Sequence, residues 1–390
     1  MRLRHGVHLA YCTNIHRGED WAQTLDALER YTLAVRERVC PDQPYAIGLR
    51  LSDSASRELQ DRKTLLEFQR WLDRNQCYVF TINGFPYGRF HGGRVKEQVY
   101  APDWTTRERL DYTNRLFDIL AQLVPAGVEG SVSTVPGSFK EFITSPAQEA
   151  AMRSHLWQCV EHIARLSESS GRTLHLGLEP EPLCFIETSA ETVRFFEQLR
   201  NDRPGDPRWA AHLGVNYDTC HLAVEFEEPA DVVRRFQAHG VKISKIHLSS
   251  ALKVRPTAAV RQALGSFAED VYFHQVIQRG PDGVTRRFRD LDVALATPLD
   301  ATNAGDFEWR IHFHIPLHHR PAALFDTTSD HIDGLLPVLG AQPGLCSHLE
   351  METYTWEVMP AAMKNRDVVD QLVSEYEWCL SRLAKHGFGR

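Results

Sequence analysis

Short apolar segments recur along this chain at the intervals that a repeated strand–helix unit produces. Candidate strands begin near residues 7, 46, 78, 128, 174, 213 and 243, and a last one begins near residue 346. Between most of them the apolar residues fall at helical spacing, as in the segment from Trp21 to Val39. Strands that alternate with helices form parallel sheets, and eight such units close into a barrel. The sequence therefore predicts an α/β fold, the (β/α)8 TIM barrel.

The interval between the seventh and eighth candidate strands is more than twice as long as any other. It contains a hairpin pattern, with candidate strands over 272–277 and 284–291 on either side of a turn at 280–283, and a further candidate strand over 308–317. We find no linker or low-complexity tract elsewhere. We therefore predict a single TIM-barrel domain over residues 1–390, with a β-containing insertion over residues 251–326 between strands seven and eight.

The composition favours a globular protein that acts on small molecules. Hydrophobic residues make up 43% and charged residues 24% of the 390 residues, which is typical of a soluble domain with a sizeable core. A net charge of −7 and a pI near 6.3 argue against nucleic acid and anionic membranes as partners. The sequence shows no membrane span, and its eight cysteines are scattered without a C-x-x-C pair. We predict a cytoplasmic protein with a small-molecule substrate.

Four candidate strands end in carboxylate or imidazole side chains. These residues are Glu179 and Glu181 after the fifth strand, Asp218 and His221 after the sixth, His247 at the end of the seventh, and Glu350 and Glu352 in the eighth. In a TIM barrel the carboxyl ends of the strands meet at one face, where active sites are built. Oxygen and imidazole ligands suit Zn²⁺, Mn²⁺, Co²⁺ or Mg²⁺. The pattern predicts a divalent metal site; the alternative is that these groups only satisfy one another.

The eighth strand carries three polar residues of the same parity. His348, Glu350 and Glu352 alternate with Leu349 and Met351, so all three side chains point to one side of the strand, which we interpret as the inside of the barrel. Glu350 follows a short apolar segment, whereas Glu352 lies nearer the mouth. Periodicity leaves open which of the two glutamates would bind a metal.

Loops after the first and third strands carry candidate substrate contacts. His16 lies in the first of these loops, and the second loop, over 83–93, is rich in glycine and aromatic residues and includes Asn83 and His91. We predict that the second loop forms a lid or a pocket wall. A later histidine-rich stretch, with His312, His314, His318 and His319, could hold a second metal. The favoured interpretation is that its first two histidines share one strand face and its last two lie in a solvated turn.

The strand-end motifs resemble those of the xylose-isomerase-like TIM-barrel superfamily, which includes sugar-phosphate isomerases, epimerases and enzymes of the endonuclease IV type. The motifs are Leu-Glu-Pro-Glu-Pro over 178–182, Asn-Tyr-Asp-Thr-Cys-His over 216–221, Lys-Ile-His-Leu-Ser over 245–249 and Leu-Glu-Met-Glu-Thr-Tyr-Thr-Trp over 349–356. Within that superfamily the chain looks most similar to the EboE family of metabolite-traffic proteins. The segments Asn-Gly-Phe-Pro-Tyr-Gly over 83–88 and Val-Lys-Glu-Gln-Val-Tyr-Ala-Pro-Asp-Trp over 95–104 carry that resemblance.

The resemblance implies roles for particular residues. It implies a divalent metal held by Glu179, Asp218, His247 and either Glu350 or Glu352. Glu179 and Glu352 would be the catalytic base and acid. The residues that would bind substrate are His16, Asn83, His91, Glu181 and His221.

Three functions remain open. The favoured one is a metal-dependent isomerase or epimerase that acts on a small metabolite, such as a sugar or sugar phosphate, by proton transfer through an ene-diolate. The second is a metal-dependent hydrolase of the endonuclease IV type. The third is a non-catalytic protein that binds or carries a metabolite, such as a sugar or a prenyl-type compound, and contacts partner proteins through its insertion.

Overall fold

The structure, a computed structural model, describes residues 1–300, 302–319, 324–364 and 366–390. Its strands are β1 (His8–Tyr11), β2 (Tyr45–Arg50), β3 (Cys77–Asn83), β4 (Gly130–Thr134), β5 (Leu174–Leu178), β6 (Leu213–Asp218), β7 (Lys242–Leu248), β8 (Leu252–Val254), β9 (Val276–Arg279), β10 (Thr285–Phe288), β11 (Glu308–Ile311), β12 (Asp326–Thr327) and β13 (His348–Met351). Eight of them form a parallel sheet in the order β1-β13-β7-β6-β5-β4-β3-β2. A parallel bridge between Cys12 and Gly48 joins the two edges. The sheet is a nearly closed barrel, which confirms the predicted fold.

Helices follow most of the barrel strands. They are α1 (Trp21–Ala27), α2 (Leu33–Val39), α3 (Asp53–Leu59), α4 (Arg62–Arg74), α5 (Arg107–Leu123), α6 (Pro146–Ser170), α7 (Ser189–Asp202), α8 (Arg208–His212), α9 (Thr219–Val224), α10 (Pro229–Ala238), α11 (Ala258–Leu264), α12 (Leu291–Ala296), α13 (Ser329–Ala341) and α14 (Val368–Lys385). Local sequence explains several starts: Ser52 and Asp61 cap α3 and α4, and Thr188 and Glu191 form a capping box on α7. In α4 the buried residues Leu65, Phe68 and Leu72 recur at helical spacing and face the barrel.

The barrel strands are buried on both faces because helices cover the outside and side chains fill the inside. Every residue of β5, β6 and β13 is buried; β5 and β6 accordingly appear in the sequence as mostly apolar runs, whereas β13 alternates polar and apolar residues. Polar residues on these strands therefore face the barrel interior or its mouth. The strand-end motifs are thus placed where a site can form.

A second, antiparallel sheet is built by the strands between β7 and α13. Its strand order is β10-β9-β11-β8-β12, and none of these strands belongs to the barrel sheet. The predicted hairpin is present as β9 and β10, which are shorter than the segments that the sequence suggested. A separate apolar cluster that includes Phe267, Trp309 and Ile311 stabilises this sheet. The boundaries of the insertion at 251 and 326 stay a prediction.

A buried carboxyl group on α14 ties this last helix to loops near the barrel mouth. Glu375 is 1% exposed, and its Oε1 accepts hydrogen bonds from Thr353 Oγ1 at 2.7 Å and from the Leu317 backbone N–H at 3.0 Å. Burial raises the pKa of Glu375 to about 7, although these hydrogen bonds oppose the shift. The carboxyl group is therefore easier to protonate in the folded protein than in an unfolded chain.

We expect Glu375→Gln to change the pH dependence of stability. As the pH rises from about 4 to about 7, the unfolded chain releases the proton of Glu375 before the folded protein does, so the wild type loses stability. The glutamine variant lacks this loss. Its free energy of unfolding relative to the wild type should rise by on the order of 3 kcal/mol between pH 5 and pH 8, as measured by urea unfolding at intermediate pH values.

Glu377→Gln is the matched control, because Glu377 lies on the same helix but is exposed. Its stability relative to the wild type should stay nearly constant over the same pH range. If the free energies of unfolding of Glu375→Gln and of the wild type changed with pH in parallel, the buried carboxyl group would not have such a raised pKa.

Candidate functional site

The carboxyl ends of four barrel strands bring four buried polar residues together. They are Glu179 after β5, Asp218 at the end of β6, His247 in β7 and Glu352 after β13, and each offers a potential ligand atom within 4.8 Å of the others. His247 Nδ1 lies 3.0 Å from Glu179 Oε1, 3.5 Å from Asp218 Oδ2 and 3.2 Å from Glu352 Oε2. We refer to these four residues as the carboxylate cluster.

Glu350 lies deeper in the barrel and outside this cluster. Its Oε2 accepts hydrogen bonds from Lys245 Nζ at 2.6 Å and from His247 Nε2 at 2.8 Å, and all three side chains are fully buried. Because His247 Nε2 faces Glu350, the ring directs Nδ1 toward the carboxylate cluster. Glu350 therefore orients His247, and the glutamate that the structure places in the cluster itself is Glu352. The ligand role of either glutamate stays a prediction.

Two oxygens of the carboxylate cluster lack a hydrogen-bond partner among the described residues. Asp218 Oδ1 caps α9, where it accepts from the backbone N–H groups of Cys220 and His221, and it also accepts from Ser249 Oγ. Asp218 Oδ2 and Glu179 Oε2 have no such partner. A buried carboxylate oxygen is costly unless a donor or a cation compensates it.

The residues present fit a divalent cation. The cluster offers carboxylate oxygens and one imidazole nitrogen, a donor set that Mg²⁺, Mn²⁺, Co²⁺ and Zn²⁺ accept. One oxygen of Glu352 is fixed by hydrogen bonds, since Oε1 accepts from Asn14 Nδ2 at 2.7 Å and from Asn83 Nδ2 at 3.1 Å. The second oxygen, Oε2, faces the cluster.

The charges of the cluster stabilise one another. Burial lowers the pKa of His247, but the carboxylates of Glu352 and Glu179 outweigh burial and raise it well above its ordinary value. Burial raises the pKa of Glu352, but His247 outweighs it and lowers that pKa to about 2. Asp218 behaves similarly: the positive charges of His221 and His247 overcome burial and hold its pKa well below the usual range. The positive charge that compensates these carboxylates in the structure is therefore the imidazolium of His247.

A cavity with about 50 Å³ of free space, partly open to solvent, leads to the cluster. Three of the predicted substrate-binding residues, Asn83, Glu181 and His221, line it together with Glu179 and Glu352. Aromatic side chains form much of the remaining wall: Phe85, Phe90, Tyr100, Tyr272, Phe273 and Tyr354. The loop over 83–93 contributes to this wall, as the sequence suggested. The cavity suits a small polar substrate that also presents an apolar face.

Glu181 differs from the carboxylates of the cluster. Its Oε1 accepts a hydrogen bond from Tyr100 OH at 2.6 Å. Burial raises the pKa of Glu181 to about 7, opposed by the charge of His221 and the hydrogen bond from Tyr100. The cavity therefore holds Glu181, with a pKa near neutrality, together with Glu352, whose pKa is lowered to about 2.

The other two predicted substrate contacts do not line this cavity. His16 is buried, its Nε2 lies 3.0 Å from Tyr11 OH, and its ring stacks on Tyr31. His91 is also buried, with Nδ1 3.8 Å from Glu19 Oε1. Both histidines pack within loops near the barrel, and a substrate role for either remains untested.

Several cavity residues were not identified from the sequence. Asn14 lies in the same loop as His16 and was missed because a loop asparagine has no characteristic spacing. Tyr272 and Phe273 come from the segment that contains the second sheet, as does His312, which the sequence indicated only as a candidate for a second metal site. Nothing in their local sequence indicates that this segment folds back over the barrel mouth, so its aromatic residues could only be placed by the structure.

The chain belongs to the xylose isomerase-like TIM barrel family, whose sequence model matches residues 42–278. The fold and the cluster at the barrel mouth are described above, and the family assignment confirms the superfamily resemblance of the strand-end motifs. The narrower resemblance to EboE proteins stays a prediction. No curated protein sequence matches the chain.

Solved structures share the fold at low sequence identity. A xylose isomerase-like TIM barrel protein from Mycobacterium smegmatis in complex with magnesium is 12% identical, with 97% of each chain covered and a TM-score of 0.52. L-ribulose 3-epimerase is 11% identical over 99% of this chain and 96% of that chain, with a TM-score of 0.51. The IolI protein with a bound zinc atom is 12% identical over 97% and 99%, with a TM-score of 0.51. Identities this low establish the fold alone.

Within the described residues no helix is both long and apolar enough to span a membrane.

Proposed function

We propose that this protein is a divalent-metal-dependent enzyme of the isomerase or epimerase type, which transfers a proton at a carbon next to a carbonyl group of a small metabolite such as a sugar. The observation that carries the proposal is the buried carboxylate cluster, with oxygens on Glu179 and Asp218 that lack a partner among the described residues, at the end of a cavity lined by aromatic side chains. We further propose, on the motifs over 83–88 and 95–104, that the chain is a member of the EboE family.

Glu179, Asp218, His247 and Glu352 would hold the metal. When bound there, a divalent ion would polarise a carbonyl group and an adjacent hydroxyl group of the substrate. The surrounding residues prepare this site. Glu350 accepts the Nε2 proton of His247 and so directs Nδ1 toward the three carboxylates. Such contacts fix the tautomer and the ring orientation of a ligating histidine.

Glu179 and Glu352 are our candidates for proton transfer, because both border the cavity. Glu179 Oε2 lacks a hydrogen-bond partner among the described residues, so it is the atom that would accept a proton from the substrate. The hydrogen bonds that Asn14 and Asn83 donate to Oε1 hold the carboxylate of Glu352 in place at the cluster.

Metal content tests the site directly. We expect His247→Ala and Glu352→Ala each to lose one metal equivalent per chain relative to the wild type, measured by elemental analysis after dialysis against Zn²⁺. Glu350→Gln should keep its metal, because Glu350 contacts His247 from behind and lies outside the cluster. Circular dichroism would verify that each variant is folded. Unchanged metal content in both His247→Ala and Glu352→Ala would show that the site assignment is wrong.

A further inference from the structure

Another group of potential metal ligands lies at the end of the barrel opposite to the carboxylate cluster. Glu129 directly precedes β4, His175 is the second residue of β5, and His348 is the first residue of β13. Each offers a potential ligand atom within 4.8 Å of the other two. All three positions are at the amino ends of parallel strands, so the barrel interior separates this group from the mouth. We refer to these three residues as the lower cluster.

Both histidines of the lower cluster are neutral at pH 7. They are 1% and 0% exposed, respectively. Burial lowers the pKa of His175 to about 4, although Glu129 opposes the shift, and burial lowers the pKa of His348 well below its usual range. The neutral imidazole is the form that binds a metal, so neither ring has to lose a positive charge first.

His348 has a ring nitrogen without a partner. Its Nδ1 lies 2.8 Å from Ser131 Oγ, which in turn lies 2.7 Å from Thr81 Oγ1. Its Nε2 is buried and has no hydrogen-bond partner among the described residues. The nearby ring of Phe80, edge-to-face at a centroid distance of 4.8 Å, is only a weak acceptor. An N–H group buried without a good acceptor is costly, so the favoured tautomer carries its proton on Nδ1 and presents a lone pair at Nε2.

His175 can present a lone pair to the same site. Its Nε2 lies 3.2 Å from Glu129 Oε2, and its Nδ1 lies 2.5 Å from Ser244 Oγ. When Nε2 donates to the carboxylate, Nδ1 accepts from the serine hydroxyl group. Because a hydroxyl group both donates and accepts, the serine can instead accept from Nδ1. A cation can then take the place of the Nε2 proton beside Glu129.

We propose a metal site in the lower cluster, held by Nε2 of His175, Nε2 of His348 and a carboxylate oxygen of Glu129. Two imidazoles and one carboxylate are a ligand set that Zn²⁺ and Co²⁺ accept, with water in the fourth position. Glu129 is partly exposed and gives solvent access to the site. The site goes beyond the proposed function, because it shares no residue with the carboxylate cluster. Since β6 and β7 separate β5 from β13 in the sheet, the ion would link two distant parts of the barrel wall.

Lys242 opposes a cation at this site. Its Nζ lies 3.8 Å from Glu129 Oε2, and its side chain is partly exposed, so it can turn toward solvent when an ion binds. We expect Lys242→Gln to tighten the binding of Zn²⁺ by roughly tenfold, because a like charge is removed. The titration would use the His247→Ala background, in which the carboxylate cluster should hold no ion. Binding that is unchanged or weaker in Lys242→Gln would overturn the site.

Zinc stoichiometry tests the lower cluster directly. We expect the wild type to bind two equivalents of Zn²⁺ per chain after equilibrium dialysis, one in each cluster, and Glu129→Ala and His348→Gln to bind one. Because Glu129 is partly exposed, its alanine variant should fold even if His348→Gln does not. The control is Glu197→Ala: Glu197 is similarly exposed and lies 3.0 Å from His239 Nδ1, but it belongs to no ligand cluster among the described residues. This control should still bind two equivalents.

The two metal sites can fail separately in this experiment. A wild type that binds one equivalent, lost in His247→Ala and kept in Glu129→Ala, would overturn the lower site and leave the proposed function intact. A single equivalent lost in Glu129→Ala and kept in His247→Ala would support the lower site and contradict the first. Two equivalents retained in both Glu129→Ala and His348→Gln would also overturn the lower site, and His175 and Glu129 would then form only a hydrogen-bonded pair.

Discussion

Glu179→Gln should lower the turnover of the substrate by roughly a hundredfold or more, the loss that is typical when a general base is removed, while the protein keeps its fold. The glutamine preserves the size of the side chain and one oxygen for the carboxylate cluster. It cannot accept a proton at the position of Oε2, which borders the cavity without a partner in the described structure. We would measure the exchange of deuterium from solvent into the reacting carbon by NMR, across a panel of ketoses, aldoses and their phosphates.

Glu375→Gln is the control for this measurement. Glu375 is as buried as Glu179, but it contacts Thr353 and Leu317 and does not line the cavity. Its variant should exchange deuterium at the rate of the wild type. If the Glu179→Gln protein exchanged deuterium undiminished, Glu179 would be eliminated as the base, and a hydrolase or a metabolite carrier would become the better interpretation of the site.

The sequence predicted the barrel because strands and helices leave local signals that repeat. Apolar runs mark strands whose two faces are buried, and each begins within a few residues of its predicted position. The strand-end motifs also indicated which residues would meet, because the carboxyl ends of parallel strands converge whatever the details of packing. Glu179, Asp218 and His247 could be grouped on that basis alone.

Periodicity predicts the side to which a residue points but gives no information on its depth or its partner. His348, Glu350 and Glu352 are all buried on the inside, as their parity predicted. They nevertheless have different surroundings: His348 Nδ1 contacts Ser131 Oγ, Glu350 pairs with Lys245, and Glu352 faces the carboxylate cluster. These partners come from other parts of the chain, so the different surroundings of Glu350 and Glu352 could be seen only in the three-dimensional structure, and the ligand role of either stays a prediction.

The path of the second sheet could not be predicted for a similar reason. Alternation in the sequence predicted that His312 and His314 lie on one face of a strand over 308–317, but β11 ends at Ile311 and both histidines are buried in the irregular segment that follows it. Their position beside His221 depends on contacts between β11 and α9. These two elements are far apart in the sequence, so no local pattern predicts the contact. The hydrogen bonds of His314 to Glu352 and of His312 to Gln275 fix that arrangement only after the chain has folded.

Lys245→Met should lower the free energy of unfolding by about 3–5 kcal/mol, the cost of leaving one partner of a buried ion pair uncompensated. Lys245 Nζ and Glu350 Oε2 are 2.6 Å apart and both side chains are fully buried. The carboxylate is tightly enclosed, since a Cβ on Gly48 would lie 1.9 Å from Glu350 Oε1. Burial lowers the pKa of Lys245, but Glu350 outweighs it and raises that pKa, so the pair is charged in the wild type.

The double variant Lys245→Met/Glu350→Gln separates the ion pair from the loss of packing. It removes both charges, and we expect it to recover most of the stability that Lys245→Met loses, because replacing a whole buried pair is often nearly neutral.

Arg30→Met is the control: Arg30 and Asp26 are 3.3 Å apart on the surface, with side chains 65% and 60% exposed. Its effect should stay below about 1 kcal/mol. Urea unfolding would measure all three variants, and a Lys245→Met protein as stable as Arg30→Met would show that Glu350 is not held as a buried carboxylate by Lys245. His247 would then be oriented by a protonated or mobile Glu350, and the fixed tautomer on which the carboxylate cluster depends would lose its structural basis.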